Sequence, residues 1–415
     1  MALKGGLLRS TEALQTIFVV AACLAIWILR RPEQLTRPYV WVEESQIIGH
    51  FLEDGWAGAF QPIQGYLILP AMVLVTLATD LSFLDLPWLM YVFAVCVFVA
   101  TVLLLVLPDS RWGNLNVRSA MALAMVLVPT NPEIFGVLLY SFWWSTLWPL
   151  IILGWKRDLW LLRAPLLAVG ALSSPAAGAL FPLYGLGYLR NRRLRELLSG
   201  GILLACFVVQ IVIAQGSTRA ELLSRDAQPR DVIEQTVRTP GLLLTRWLSP
   251  GGVDENFALL VGAAFISFLV IVALRFAFLA RLDEALLLTS AAAIFTVLSA
   301  VPAPLISSPT VGGPRYYFLP FVALSWVLLT LWRQALDARI RVASAALLAV
   351  ALLGLATTFS RTPDERTANL SWREEIRNCG ASPAAVVPVP IYFDGSQNVF
   401  WNLPLTPERC RELSR

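Results

Sequence analysis

The dominant pattern in this chain of 415 residues is a series of apolar runs separated by short polar turns. Most of the runs approach the length of about 20 residues that a helix needs to cross a bilayer. Length and periodicity therefore predict an all-α polytopic membrane protein with about eleven transmembrane helices. The predicted spans are residues 14–30, 87–107, 118–130, 142–155, 163–174, 176–189, 200–214, 257–275, 284–302, 316–332 and 342–358.

The composition agrees with this pattern, because 57% of the residues are hydrophobic and only 14% are charged. So little charge cannot coat a soluble protein of this length. The first apolar run ends at Arg30 and Arg31 without a small-residue cleavage site, which is typical of a retained anchor. The net charge of +4 comes from basic residues at helix ends. It indicates membrane lipids as partners and argues against nucleic acid.

A further apolar segment, residues 66–78, decides the topology of everything after it. If this segment does not cross and Met1 is cytoplasmic, every short cytoplasmic turn carries arginine or lysine. A full crossing would place all but the first of these basic turns outside. We therefore predict that residues 66–78 form a juxtamembrane or re-entrant segment, with the N-terminus cytoplasmic and the C-terminus outside.

This topology collects the long connections on the outer face. A transmembrane domain of residues 1–358 carries a first outer loop, 31–86, with juxtamembrane helices, and a long polar outer loop, 215–256. Residues 359–415 form a small outer cap with strand-like pieces at 385–389 and 391–393. Cys379 and Cys410 both fall within this cap on the oxidising side, so we predict a disulfide between them.

The most informative polar feature is the pair Glu43-Glu44, just beyond the first span. Adjacent residues on a helix point about 100° apart, so one carboxylate can face a cavity while the other binds a cation, an arginine or a backbone amide. A carboxylate beside an apolar wall can have a raised pKa and act as a general base. The alternative is that both residues begin a solvated loop.

Two other stretches are predicted to share the outer face. In Gly312-Gly313-Pro314-Arg315-Tyr316-Tyr317, Arg315 offers a planar fork that suits phosphate oxygens and Tyr316 adds a hydroxyl donor. The alternative is a snorkelling arginine with interfacial tyrosines. The second stretch, Asn131-Pro132-Glu133, precedes aromatic residues that include Trp144 and could stack on sugar rings. The alternative for them is an ordinary interface belt of tryptophans.

Missing residues and motifs exclude several types of active site. His50 is the only histidine, so a His-based metal site is excluded. His50 itself could be a catalytic residue or a hydrogen-bonding residue at the membrane interface. Carboxylates alone permit a hard divalent cation such as Mg²⁺ or Ca²⁺, and no metal ligand or cofactor is assigned. The sequence has no Walker A motif, no dinucleotide fingerprint and no DxD motif in a soluble unit, which disfavours a nucleotide-sugar donor.

Several of these short motifs resemble the C-type (GT-C) glycosyltransferases, in particular poorly characterised bacterial members. The similar stretches are Trp41-Val42-Glu43-Glu44-Ser45, Gln64-Gly65-Tyr66-Leu67, Asn131-Pro132-Glu133, the Gly-Pro-Arg-Tyr stretch at 313–316 and the tail with Cys379. Their order and spacing cover most of the chain. This sequence has Glu-Glu where the relatives have Glu-Asp or Asp-Glu, which leaves open which carboxylate is the base.

The resemblance implies a GT-C-like fold in the bacterial cytoplasmic (inner) membrane and a role in cell-envelope polysaccharide biosynthesis. A sugar would move with inversion from a polyprenyl-phosphate donor to a glycan, lipid or protein acceptor. The implied roles are Glu43 as the base with Glu44 as its alternate; Arg315, Tyr316, Arg246 and Arg37 at the donor phosphate; and Glu133, Asn131, His50, Tyr66 and Trp144 at the sugar or acceptor.

Two other function classes remain at this point. A flippase, transporter or polymerase component of envelope polysaccharide also needs many helices and a cationic outer pocket. It usually carries ionisable residues within its helices, and these apolar runs are nearly free of them. A structural or assembly protein would lack a hydrophilic cavity between the first loop and the tenth span.

Overall fold

The computed structural model describes residues 2–63, 65–107, 109–157, 159–216, 229–245, 248, 254–277, 283–300, 314–335, 337–359, 365–394 and 398–414. Within these ranges the chain is mostly helical, which confirms the predicted class. The helices of the first half are α1 (Ala2–Arg30), α2 (Pro32–Thr36), α3 (Glu44–Asp54), α4 (Leu69–Leu81), α5 (Leu86–Val106), α6 (Leu115–Leu127), α7 (Ser141–Thr146), α8 (Trp148–Leu153), α9 (Trp160–Ala171), α10 (Pro175–Gly178), α11 (Phe181–Asn191) and α12 (Leu194–Gln215).

The second half continues the bundle and ends in a small mixed unit. Its elements are α13 (Pro229–Thr245), α14 (Glu255–Ala277), α15 (Asp283–Ala300), α16 (Phe318–Gln334), α17 (Ala338–Leu353), α18 (Glu365–Ala368), α19 (Trp372–Ala381), strands β1 (Val387–Asp394) and β2 (Val399–Leu405), and α20 (Pro407–Leu413).

Six helical segments of the described chain are long and apolar enough to cross a membrane: Thr11–Arg30, Leu86–Val106, Leu194–Gln215, Glu255–Val272, Arg315–Gln334 and Ala338–Thr357. Five shorter apolar helical segments accompany them, and Leu69–Leu81 is one of these. At 1.5 Å per residue α4 is about 20 Å long, less than the ~30 Å hydrocarbon core. The structure thus has the apolar helices of a membrane protein, whereas eleven spans stay a prediction.

Arg30, the last residue of α1, contacts the backbone just after α6 and just after α17. Its side chain is fully buried. It donates hydrogen bonds to the backbone carbonyls of Val126, Val128 and Thr130 at 2.7–3.0 Å, and to the carbonyl of Thr358 at 3.0 Å. A buried guanidinium needs several acceptors, and the carbonyls where α6 and α17 end supply them. This contact places residues 126–130, which lead to Glu133, beside the end of the first span.

The turn after α5 packs at the end of the bundle opposite to Arg30. Trp112 donates its indole N–H to the carbonyl of Ile151 at 3.2 Å, and the backbone N–H of Arg111 bonds the carbonyl of Gly154 at 2.8 Å. Helix α16 begins near Arg315 and ends beside this turn, because a Cβ atom added at Gly113 would lie 2.4 Å from Nη1 of Arg333. Arg315 and Arg111 therefore lie at opposite ends of the helical bundle.

Helix α13 falls inside the stretch 215–256 that we expected to be a polar outer loop. It packs against α14, and the two backbones approach closely where both helices carry glycine. A Cβ atom at Gly241 would lie 1.8 Å from the carbonyl oxygen of Ala258, and one at Gly262 would lie 1.9 Å from that of Val237. The charged residues that suggested a loop are partly neutralised here, since buried Arg238 forms ion pairs with Glu234 and Glu255.

The C-terminal segment packs on the first loop as a small cap. Strands β1 and β2 pair antiparallel, with Val389 opposite Leu403 and an irregular register between Pro390 and Tyr392. Prolines are tolerated in this two-stranded sheet because every strand is an edge strand. The two strand-like pieces predicted on either side of Pro390 are thus one strand with a bulge.

Three side-chain contacts hold this cap against the segments before α3 and before α5. Trp372 donates its indole N–H to the carbonyl of Phe83 at 2.6 Å, and Arg373 pairs with Asp85 at the start of α5. Tyr392 packs its ring 4.8 Å from the ring of Trp41. The cap therefore lies directly beside the segment that carries Glu43 and Glu44.

The predicted disulfide between Cys379 and Cys410 is present and joins α19 to α20 with Cα atoms 5.9 Å apart. Cys23, Cys96 and Cys206 are free. Denatured, non-reduced protein should therefore react with a thiol label at three cysteines, and reduced protein at five. Labelling of all five without reduction would contradict the disulfide.

Removing this bridge should loosen the cap. The bond closes a loop of 31 residues, so the Cys379→Ser/Cys410→Ser variant should lose about 3–4 kcal/mol of cap stability. Limited proteolysis should then cut the cap faster. The matched control is Cys96→Ser, which changes an exposed free cysteine and should leave the cleavage rate unchanged.

Candidate functional site

Residues from four separate segments line a narrow cavity at the end of the bundle nearest the cap. It opens to the surface, and its interior has a volume of about 30 Å³, room for about two water molecules. The lining residues are Glu43, Ile63, Tyr66, Ile68, Leu139, Tyr140, Phe142, Trp143, Arg315 and Tyr316. Apolar and aromatic walls surround a few convergent polar groups, which is the usual composition of a small-molecule site.

Glu44, the first residue of α3, has its carboxylate fully engaged by the backbone. Its Oε2 accepts the N–H of Trp41 at 2.7 Å, and its Oε1 accepts the N–H of Leu139 at 2.8 Å. The side chain is buried. Burial raises the pKa of Glu44 to about 7, while the two N–H donors act in the opposite direction. Glu44 thus fastens the first loop to the segment before α7.

Glu43 precedes α3 and points the other way, as expected for adjacent residues near a helix start. Its Oε1 lies 3.9 Å from Nη2 of Arg315. Its Oε2 is buried and has no hydrogen-bond partner among the described residues. A buried carboxylate oxygen without a donor is costly to desolvate, so its place on the cavity wall indicates a group that accepts a hydrogen bond from a ligand.

Arg315 stands at the centre of the polar groups. Its Nη1 donates to the hydroxyl of Tyr140 at 2.8 Å and to Oε2 of Glu133 at 3.2 Å. Its guanidinium lies 5.4 Å from the ring centre of Tyr140 and 5.6 Å from that of Tyr316, which adds cation–π attraction. These contacts hold the fork of Arg315 in one orientation before any ligand arrives.

A capped turn presents Glu133 to this arginine. The side chain of Asn131 accepts the N–H of Glu133 at 3.0 Å and starts the short 3₁₀ turn Pro132–Ile134. Both side chains are buried. Asn131 therefore shapes the backbone that carries Glu133, and it is not one of the residues that line the cavity.

The aromatic wall consists of Tyr66, Phe142, Trp143 and Tyr316. Trp143 meets Tyr316 edge to face with ring centres 5.7 Å apart, and Tyr66 meets Phe142 in the same way at 6.5 Å. The indole N–H of Trp143 is buried and lacks an acceptor among the described residues. Trp143 and Glu43, which both line the cavity, thus carry an unused donor and an unused acceptor respectively.

Other residues assigned from the sequence lie elsewhere. Trp144 is a core residue, since its indole N–H bonds the carbonyl of Ile134 at 3.1 Å and its ring packs on Phe318. His50, on α3, does not line the cavity. Exposed Arg37 bonds Asn369 of the cap at 3.4 Å. Arg246 lies outside the described residues.

Tyr140 and Trp143 are among the aromatic residues after Glu133 that the sequence marks as able to stack on sugar rings, but the sequence does not single them out as site residues. The signal was present, because residues three apart lie on one face of a helix and Tyr140 and Trp143 have that spacing. Trp144, one position later, points about 100° away into the core. Which of the two tryptophans lines a cavity depends on the rotation of α7, and with six residues α7 is too short for its sequence pattern to show that rotation.

The described residues include no group of three or more His, Cys, Asp or Glu side chains arranged to hold a metal ion. Arg315 occupies the position between Glu43 and Glu133 where a shared cation would sit. Comparisons with protein-family models, with curated proteins and with solved structures find no match to the chain. The geometry and chemistry of the cavity are therefore the basis for a functional proposal.

Proposed function

We propose that the protein is a membrane glycosyltransferase that moves a sugar from a polyprenyl-phosphate donor to a glycan, lipid or protein acceptor, with Glu43 as the general base. The observation that carries the proposal is the unpartnered Oε2 of Glu43, buried on a cavity wall beside Arg315. A polar site of this kind at the end of an apolar helical bundle suits a substrate with a polar head and a hydrocarbon tail.

In the proposed step, Glu43 takes the proton of an acceptor hydroxyl while that oxygen attacks the anomeric carbon of the donor sugar. The bond from the anomeric carbon to the phosphate oxygen breaks, and polyprenyl phosphate leaves with inversion at the carbon. General-base assistance of this kind contributes typically about 10²–10⁴-fold to a rate. The unused donor on Trp143 would orient a sugar hydroxyl.

The base is Glu43 and not Glu44 because their surroundings differ. Both oxygens of Glu44 accept backbone N–H bonds, so neither is directed at a substrate. Glu43 lines the cavity, and its Oε2 accepts no hydrogen bond from the described residues. Adjacent carboxylates thus have separate roles, one positioning the loop and one carrying the chemistry.

Arg315 would stabilise the negative charge that develops on the leaving phosphate. Glu133 and Tyr140 pre-orient it, so its fork is already in place when the donor binds. The carboxylates of Glu43 and Glu133 and the guanidinium of Arg315 together have a net charge of −1. A divalent cation that enters with the donor phosphate would offset this charge, so the assay should compare added MgCl₂ with EDTA.

The direct test uses purified protein in proteoliposomes without any ion or voltage gradient. We expect release of polyprenyl phosphate from polyprenyl-phosphate-linked sugars when an acceptor is supplied. Movement of the intact donor between leaflets without release would instead identify a flippase. Absence of both activities over a panel of donors would contradict the proposal.

Changing Arg315 should lower transfer strongly without unfolding the protein. Removal of one preorganised group that stabilises transition-state charge typically costs roughly 10²–10³-fold in rate, so Arg315→Gln should lose about that much. Arg315→Lys keeps the charge but loses the planar fork, and we expect an intermediate activity. The matched control is Arg339→Gln, an exposed arginine at the far end of the bundle. Equal kcat/KM for Arg315→Gln and wild type would exclude the role.

A further inference from the structure

A second charged cluster lies at the end of the bundle opposite the cavity. Glu196, in the first turn of α12, is fully buried and lies within reach of three arginines. Its Oε2 is 3.0 Å from Nη2 of Arg163, and its Oε1 is 3.4 Å from Nε of Arg195 and 3.9 Å from Nη2 of Arg111. The proposed transferase chemistry uses none of these residues.

The positive charges in this cluster outnumber the negative ones. Three guanidinium groups face Glu196, and Glu284 acts on Arg111 from further away, so 3 − 2 leaves an excess of +1. Two buried guanidinium atoms, Nη1 of Arg163 and Nε of Arg195, make no hydrogen bond among the described residues, and neither does Oε1 of Glu196. A buried guanidinium N–H without an acceptor is costly, and an anion would remove that cost.

Contacts with Ser199 and Tyr184 fix the side chain of Arg163 and therefore the position of its Nη1 atom. Its Nε donates to the hydroxyl of Ser199 at 2.9 Å, and its guanidinium lies 5.7 Å from the ring centre of Tyr184. Arg111 and Arg195 keep 20% and 12% of their side chains exposed. They connect the buried Arg163 to the surface, where an incoming anion could meet them first.

The surface beside the cluster is apolar. Leu161 and Leu162, next to Arg163, and Leu197 and Leu198, next to Glu196, are exposed large side chains, and Leu161 is 94% exposed. The helices α9 and α12 that carry them are apolar. A phosphate bound at the arginines would therefore have hydrocarbon-binding surface at its side, which is the pattern that an acyl-chain lipid requires and a free anion does not.

We propose that Arg111, Arg163 and Arg195 bind the headgroup phosphate of an anionic phospholipid in the leaflet opposite the candidate active site. The leucines beside them contact its acyl chains. This inference does not depend on the transferase proposal, because it rests on the unpartnered Arg163, the excess charge and the adjoining leucines alone.

The test measures lipid affinity of delipidated full-length protein in detergent by native mass spectrometry. The probes are dioleoyl phosphatidylglycerol, dioleoyl phosphatidylcholine with the same chains, and inorganic phosphate. We expect phosphatidylglycerol to bind at least roughly tenfold more tightly than phosphatidylcholine, since one basic side chain near an anionic headgroup contributes roughly fivefold and three arginines lie in this cluster. Inorganic phosphate should bind far more weakly than phosphatidylglycerol.

The decisive variant is Arg111→Gln/Arg195→Gln, which spares the buried Arg163. A basic residue near an anionic lipid contributes roughly fivefold to binding, so the loss of two should weaken phosphatidylglycerol binding roughly thirtyfold. Arg339→Gln/Arg341→Gln is the matched control, because it removes the same charge from exposed positions on α17 at the same end of the bundle. It should leave the lipid preference unchanged.

Three results would overturn the proposal. They are equal affinity of the wild type for the two lipids, an unchanged preference in the Arg111→Gln/Arg195→Gln variant, and inorganic phosphate binding as tightly as phosphatidylglycerol. If the double variant is not monodisperse, Arg111→Gln alone is measured in its place. An unchanged preference in that single variant contradicts the proposal equally.

Discussion

Replacing Glu43 by glutamine should lower sugar transfer by roughly 10²–10⁴-fold, the usual contribution of a general base. Glutamine keeps the size of the side chain and an oxygen that can face Arg315, but it cannot take a proton. Folding should be little changed, because the contact to Arg315 is a loose one at 3.9 Å. Transfer rates of purified wild type and variant, compared with their thermal unfolding midpoints, measure the two effects separately.

The matched control for this change is Glu53→Gln. Glu53 lies on the same helix, α3, and is exposed, so its loss should not affect transfer. Full activity in Glu43→Gln would remove Glu43 as the base and leave Glu44 and Glu133 to be tested in the same way.

Replacing the neighbouring Glu44 by alanine should instead destabilise the protein. The change would leave the buried N–H groups of Trp41 and Leu139 without acceptors. Each such group costs about 1–3 kcal/mol, so the total loss should be roughly 2–6 kcal/mol. A lower unfolding midpoint in detergent, relative to wild type and to Glu53→Gln, measures it. An unchanged midpoint together with lost transfer would assign Glu44 a direct chemical role.

The pH dependence of the Glu44→Gln variant tests the state of this carboxyl. The pKa of Glu44 is raised from 4.5 to about 7 by burial, so the folded protein holds this proton more tightly than the unfolded chain does. The stabilisation is fully present below pH 4.5 and is lost as the pH rises through 7, with an upper limit of about 3 kcal/mol. The stability advantage of wild type over Glu44→Gln should therefore shrink between pH 5 and pH 8. An advantage that grows with pH would show that the N–H donors outweigh burial.

The sequence predicts several of the chemical groups of the candidate site but not how they are arranged in space. In the sequence, Glu43 is one of two adjacent carboxylates just beyond the first predicted span, Glu133 is a carboxylate predicted on the same face, and Arg315 offers a planar fork that suits phosphate oxygens. The structure places all three around one set of contacts. Their functional roles stay predictions. The sequence left open which of Glu43 and Glu44 faces a ligand, because both choices fit a helix start.

The structure distinguishes the roles of Glu43 and Glu44 because Glu44 binds a partner that is distant in the sequence. The N–H of Leu139 that it binds lies 95 residues further along the chain, and no local pattern encodes that encounter. The same reason explains Trp143 and Trp144. Their sequence environments are nearly identical, and only the packing of Trp144 against Phe135 and Phe318 decides that it belongs to the core.

The sequence by itself determined the class of the protein, since apolar runs of nearly membrane-spanning length leave a helix few alternatives. It also indicated the cap disulfide, because only two cysteines lie in the polar tail. Only the tertiary structure decided that residues 229–245 form a helix. Their polar residues indicate a loop when no partner is considered. Packing of Gly241 on α14 and the ion pairs of Arg238 make the helix favourable, and both depend on residues brought together by the fold.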